Sequence, residues 1–421
     1  MIIIYFITLI LAFKIGKYLY KRMVNPITIY TTIWFLCFLV YDCGIMSFLP
    51  LTWHTFFYIY GANLCVILGC ILGKFLANFH LKCEVLYHKR SFYEKKNALK
   101  KVIIITSVLS GIDIIPDLVK SISMYGTNLI ANTSDLYFNE ISSSQESMLS
   151  LSAFIFVTAT FFGMYIVDYG FDFSMTIPAL MLCSFALSRG SRGTFVIIVF
   201  LIFAAMTVPC TYGKERYKYH NILKKNIKKL VVIGAVFIGV ILAITGTRHG
   251  GENVYSGYVT LDGLTNTIFI SILGYLGSGI GCLNQYLINP ITSEVPSFFF
   301  RVFFVIFNKL GLTNIDTGFW LPTYTIPMPA NVITYIGELY HDFGNGLFVI
   351  IVFMACIFSL SFCKAIKSGS TFQRNMYAVM FTVFGLSFFA NFIHAAGVWY
   401  AFILGGCISY FIDHKVMKIM F

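Results

Sequence analysis

Arginines gather where this sequence leaves its apolar runs. Arg189 and Arg192 stand three residues apart in Ser188-Arg-Gly-Ser-Arg-Gly193, a short polar turn between two long apolar stretches. A guanidinium is permanently charged and planar, and its donor fork matches phosphate oxygens. The two glycines let the backbone turn sharply and approach a ligand. A charge held this close to lipid is costly, so such a residue faces a polar cavity or a partner and counts as a functional candidate; snorkelling to headgroups or a structural ion pair is the alternative reading.

Two further clusters carry polar chemistry. In Thr245-Gly-Thr-Arg-His-Gly-Gly-Glu252, Arg248 and His249 are adjacent and three glycines loosen the chain. An imidazole titrating near neutrality can accept a proton from a hydroxyl group. In Glu338-Leu-Tyr-His-Asp-Phe-Gly-Asn-Gly346, Glu338, Tyr340, His341 and Asp342 collect at the start of an apolar run. Carboxylates there also cap a helix. Glu338 and His341 are three residues apart and on a helix would share a face, the geometry of a base and its orienting partner. Arg301 heads another apolar run after Pro296-Ser-Phe-Phe-Phe300, a position that also suits an interfacial anchor. His394 reads as a packed or cavity-lining histidine.

The elements that must position these residues are membrane spans. Of 421 residues, 58% are hydrophobic and 11% charged, against roughly 25% charged in a soluble domain. Apolar runs place helices near 1–19, 27–46, 55–79, 101–118, 149–167, 173–188, 194–210, 230–246, 343–363, 376–394 and 397–412, about eleven spans of ~20 residues. The expected fold is therefore an all-α polytopic membrane protein with a single membrane domain over 1–421. Ten to twelve spans fit the same pattern, or thirteen if the segment 247–342 hides two more.

Most of the 30 lysines and arginines fall in short clusters at 14–22, 82–101, 214–229 and 364–374 and in the tail. An even number of spans separates each consecutive pair, so all five lie on one side. Basic connections mark the cytoplasm, which makes 80–100 and 211–229 cytoplasmic loops, the N-terminus external and the C-terminus cytoplasmic. The outer face then receives 116–148, the Arg189 turn and the long 247–342 segment. Within that segment 264–289 and 297–311 are apolar enough for re-entrant or interfacial helices. The outer basic residues are Lys120, Arg189, Arg192, Arg248, Arg301 and Lys309, rich in arginine where the inner clusters are rich in lysine. Net charge of +12 is a property of these loops and points to no nucleic acid.

The first span lacks a basic segment ahead of it and reads as retained rather than cleaved. The eleven cysteines show no metal-ligand spacing and read as small hydrophobes. Gly69-x-x-x-Gly73 and Gly277-x-x-x-Gly281 read as close helix-packing sites.

Taken together, Ser188–Gly193 between two spans, Arg248 at the start of a long outer loop and Tyr340-His-Asp-Phe-Gly-Asn-Gly346 give a chain that resembles the O-antigen polymerase (Wzy) family of oligosaccharide repeat-unit polymerases. The last segment is similar to the family's Tyr-x-Asp-Phe-Gly-x-x-Gly pattern, with Gly346 one residue early. The resemblance implies a GT-C-like glycosyltransferase of the bacterial inner membrane that acts at its periplasmic face. Donor and acceptor would both be undecaprenyl-diphosphate-linked oligosaccharides, with no cofactor and no metal. A chain-length regulator and a flippase of the same pathway are its expected partners, along with the lipid bilayer. In that reaction Arg189, Arg192, Arg248 and Arg301 are candidates for binding the diphosphate leaving group. Glu338, His341 and His249 are candidates for the base that activates the acceptor hydroxyl, with Tyr340 and Asp342 in support. An O-antigen ligase and a lipid-linked oligosaccharide flippase are the rival expectations.

Overall fold

The computed structural model describes residues 1–79, 92–126, 150–189, 192–208, 267–317, 323–326 and 329–414. Within them the regular structure is helical apart from a minimal antiparallel pair, β1 (Tyr324–Thr325) with β2 (Pro329–Ala330). Among the described residues six helices are long and apolar enough to cross a membrane, and three shorter apolar helices accompany them. The protein is membrane-embedded. In chain order the helices are α1 (Ile2–Tyr20), α2 (Pro26–Asp42), α3 (Trp53–Asn78), α4 (Phe92–Tyr125), α5 (Phe154–Tyr169), α6 (Thr176–Arg189), α7 (Arg192–Thr207), α8 (Thr267–Tyr286), α9 (Arg301–Lys309), α10 (Thr334–Phe343), α11 (Leu347–Ser368), α12 (Thr371–Gly385) and α13 (Ala396–Asp413). The span expected at 230–246 lies outside the described residues.

The chain packs as two compact units. The first is Met1–Asn78, Gly251–Leu360 and Val383–Ala395; the second is Phe79–Gly250, Ser361–Thr382 and Ala396–Phe421. Two of the boundaries fall inside α11 and α12, where the sequence offers no linker.

In the first unit, α2 begins where Asn25 accepts hydrogen bonds from the N–H groups of Ile27 and Thr28, while the Thr28 hydroxyl accepts one from Asn25 N–H. Pro26 occupies the first helical position, where its missing N–H costs nothing. α3 and α11 approach backbone to backbone. A Cβ on Gly69 would fall 2.3 Å from the Val352 carbonyl oxygen, and one on Gly73 the same distance from that of Cys356. This is the close packing expected of that glycine pair. Gly277 and Gly281 behave differently. Their missing side chains make room for the Phe48 ring and the Ile326 side chain, which come from irregular segments rather than a helix.

In the second unit, α5 is the central helix and packs on α4, α6, α7 and α13. Gly163 lets α5 close on α7, since a Cβ there would lie 2.5 Å from the Ile202 carbonyl oxygen. One end of this unit is tied by buried charge. Arg374 at the start of α12 pairs with both oxygens of Asp168 at the end of α5, at 2.5 and 3.2 Å, and donates to the Val208 carbonyl just beyond α7. Lys95 at the start of α4 pairs at 2.7 Å with Asp413 at the end of α13. Asp413 also accepts from the Ser370 and Thr371 hydroxyls. These are the helix ends that the alternating basic connections assign to one side of the membrane.

Two helices depart from the expected boundaries. α4 runs from Phe92 to Tyr125, into residues read as flanking loops, and at 34 residues is about 50 Å long. The span expected over 376–394 stops at Gly385. Leu386–Ala395 is irregular, with one 3₁₀ turn at Phe392–His394, although Ser387, Asn391 and His394 are buried. Such backbone persists at membrane depth only where protein satisfies its polar groups.

Candidate functional site

α10 supplies the site. It opens at Thr334, which holds a left-handed φ of 60°, costly for a β-branched residue and tolerated where surrounding contacts fix it. Those contacts include Tyr335 N–H donating to the Ser387 carbonyl of the irregular segment at 2.9 Å. α10 ends at Gly344, whose φ of 53° and ψ of −133° glycine alone adopts freely. The chain thereby breaks between the Tyr340–Phe343 end of α10 and the long apolar α11.

Four residues apart, Glu338 and Asp342 share the buried face of α10. Asp342 accepts the N–H of Phe299 at 2.5 Å and, at a longer 3.4 Å, that of Phe298. A carboxylate bonding consecutive backbone N–H groups fixes the path of the chain, here the approach to α9. Arg301, first residue of α9, lies two residues beyond this clamp. Its Nε donates to the Thr317 carbonyl at 2.9 Å. Burial lowers the pKa of its half-buried guanidinium, which stays cationic at any physiological pH.

His341 lies off that buried face. Its Nδ1 is 2.7 Å from the Ile291 carbonyl oxygen. A carbonyl only accepts, so Nδ1 carries the proton and the lone pair of the neutral ring is on Nε2. The same carbonyl oxygen takes the Tyr286 hydroxyl at 2.5 Å, and Ser293 N–H donates to the His341 carbonyl at 2.7 Å. The imidazole is thus oriented by the 286–293 segment.

Glu338 does not orient His341, contrary to the expectation from their spacing. Three residues turn a helix by about 300°, which leaves the two side chains roughly 60° apart, enough here to separate a buried position from a half-exposed one. Glu338 is 1% exposed. Its Oε2 accepts Asn391 N–H at 2.7 Å and lies 3.5 Å from His394 Nδ1. Its Oε1 has no hydrogen-bond partner among the described residues. The Phe298 ring packs on His394, centroid to centroid 4.7 Å, so both carboxylates of α10 bear on the segment that leads to Arg301. Tyr340 meets the rings of Tyr58 and Tyr286 edge-on.

Glu338, Tyr340, His341, Asp342 and Arg301 therefore come together in the first unit. Arg189 and Arg192 belong to the second unit, where Arg189 ends α6 and Arg192 begins α7. Arg248 and His249 lie outside the described residues. Asn391 is the contact that sequence reasoning passed over, while His394 is packed, as expected. The signal for Asn391 was a second polar residue, three before His394, inside an otherwise apolar run, which was read as helix.

Chemically, the cluster offers a permanent cation on a braced backbone and an oriented imidazole on the helix that braces it. Such a pair can bind an anionic leaving group and accept a proton from a nucleophilic hydroxyl. No protein-family model matches this sequence, no curated protein is similar to it, and no solved structure resembles its fold.

Proposed function

We propose that the chain is a metal-independent membrane glycosyltransferase of the O-antigen polymerase type, which joins undecaprenyl-diphosphate-linked oligosaccharide repeat units into a surface polysaccharide. On this reading it is a GT-C-like bundle of about eleven spans in a bacterial inner membrane, with an external N-terminus, a cytoplasmic C-terminus and its site at the periplasmic face. The reading is supported above all by the Asp342 clamp, which ties the chain entering Arg301 to the helix that carries His341.

In the reaction, the bond between the anomeric carbon of the donor glycan and the diphosphate oxygen breaks. Its electron pair leaves with undecaprenyl diphosphate, and Arg301 offsets the charge that develops there, with Arg189, Arg192 and Arg248 as further candidates. The acceptor hydroxyl oxygen forms the new glycosidic bond and gives its proton to a base. Of the three candidates, His341 is preferred because its ring is oriented and half-exposed, whereas Glu338 is buried against Asn391 and His394. A flippase and a chain-length regulator are the partners this role requires.

A second reading, as a transporter of lipid-linked oligosaccharide, draws on the two interruptions at 344–346 and 386–395; Glu338, on the helix that ends at the first, accepts a hydrogen bond from Asn391 of the second. Discontinuous helices form the substrate sites of many transporters. Reconstituted protein given the lipid-linked repeat unit separates these readings. A polymerase releases undecaprenyl diphosphate and makes dimers and longer oligomers. A transporter moves the unit with its glycosidic bonds intact, and a ligase releases the carrier only when lipid A-core is supplied.

A further inference from the structure

We infer that the aromatic platform of His54, Tyr58, Tyr340 and Asn345 is a sugar-binding subsite for the acceptor oligosaccharide; this rests on the polymerase reading of the adjoining His341. The rows of α3 carry different chemistry. Trp53, Phe57, Leu64, Leu68 and Phe75 form an exposed apolar row that suits lipid. His54 and Tyr58 form another, four residues apart, and this row meets the break between α10 and α11.

There the Tyr58 hydroxyl donates to Asn345 Oδ1 at 2.7 Å. The Tyr58 ring lies edge-on to Tyr340, with centroids 5.5 Å apart at 75°, and edge-on to His54 at 5.0 Å and 74°. Beneath it Phe348 stacks nearly parallel, at 5.7 Å and 22°. Phe348 reaches that position because residue 61 is glycine: a Cβ there would lie 2.9 Å from its ring. The ring of Tyr58 is thus held in place before any ligand arrives. Asn345 and His54 are exposed, and among the described residues no group accepts from the Asn345 amide N–H₂.

This composition selects the occupant. None of the four groups is a fixed charge, so an anion finds no counter-charge. Hydrophobic faces edged by a carboxamide, a phenol and an imidazole match a pyranose, whose C–H face packs on an aromatic ring while its hydroxyls take the polar edge. Tyr340 and His341 share a neighbour in Tyr286, whose ring meets Tyr340 edge-on and whose hydroxyl reaches the same Ile291 carbonyl as His341 Nδ1, which links the platform to the group proposed to take the proton.

The test uses the full chain in lipid nanodiscs and repeat-unit oligosaccharide released from its carrier by mild acid, observed by saturation-transfer NMR. Wild type should saturate sugar ring protons. Tyr58→Ala should weaken binding about three- to tenfold, Tyr58→Phe should retain most of it, and Leu68→Ala, on the lipid-facing row, should leave it unchanged. Asn345→Ala, at an exposed loop position, provides a second loss of binding if Tyr58→Ala does not fold. No saturation with wild type, or equal binding by Tyr58→Ala and Asn345→Ala, overturns the subsite and leaves an interfacial aromatic belt. If binding needs Tyr58 but deletion of the gene leaves the cell's glycan ladder intact, the sugar site stands and the polymerase reading falls. If the ladder needs Arg301 but binding ignores Tyr58 and Asn345, the polymerase reading stands and the subsite falls.

Discussion

Asp342 accepts the backbone N–H of Phe299 at 2.5 Å across 43 residues of chain, and this bond joins the helix carrying His341 to the segment that delivers Arg301. Asp342-Phe-Gly344 thereby has a mechanical account in this chain. Its aspartate holds a neighbouring chain, and its glycine ends the helix in a backbone conformation other residues resist.

Asp342→Ala leaves the buried N–H of Phe298 and the partly buried N–H of Phe299 without their acceptor, a cost of about 1–3 kcal/mol. Hydrogen exchange should rise across 296–309 while the α3–α11 contact stays protected. Asp342→Asn keeps an acceptor oxygen and should lie between Ala and wild type. Uniform exchange in all three proteins would show that the clamp does not hold this segment.

The α3–α11 approach gives a packing prediction. Gly73→Leu must push the helices apart or distort the Cys356 carbonyl, and overpacking of this kind costs about 1–3 kcal/mol. Thermal unfolding in detergent should begin several degrees lower than in wild type. The same substitution at Gly193, where a Cβ would meet nothing within 4 Å, serves as the tolerant control.

Arg374 and Asp168 are both 3% exposed at the side chain. Removing one partner strands a buried charge, at about 3–5 kcal/mol. Asp168→Ala and Arg374→Leu should each reduce folded yield sharply, and the double variant should recover part of the loss. Additive losses would mean that the two residues do not depend on each other.

Asp172, in the connection between α5 and α6, supplies a pH prediction. Burial raises its pKa, but hydrogen bonds from Ser174 and Tyr165 and the Lys100 ammonium, 3.6 Å away, outweigh burial and hold it below the usual carboxylate range. A depressed folded pKa stabilises above the unfolded value of about 3.9, and that contribution is lost as pH falls through the lower folded value. Melting curves should therefore decline in acid more steeply for wild type than for Asp172→Asn. The pair is 36% exposed, so salt screens part of the effect.

Much of this architecture was legible because a span must be apolar over a fixed length, and long runs such as 2–20 and 53–78 have no other use. Arg301 and the Tyr340–Asp342 cluster stood out because polar groups are rare in such a chain. The break after Gly385 was hidden, since Phe388, Phe389, Phe392 and Ile393 are as apolar as any helix. What releases that backbone is tertiary: Ser387 takes Tyr335 N–H and Asn391 gives its own to Glu338. The Glu338–His341 pairing failed for the same reason. Spacing alone places two side chains within reach, and the neighbours across the helix decided which face each one took.

The most direct test is the surface-glycan banding of source cells deleted for the gene and complemented with wild type, Arg301→Ala or Arg301→Lys at matched membrane expression. The account predicts that deletion removes the long ladder and keeps the single-repeat band. Wild type should restore the ladder, and Arg301→Ala should fall short by about 10²–10³ in polymerisation rate, with Arg301→Lys intermediate. An unchanged ladder on deletion, or full rescue by Arg301→Ala, would contradict it.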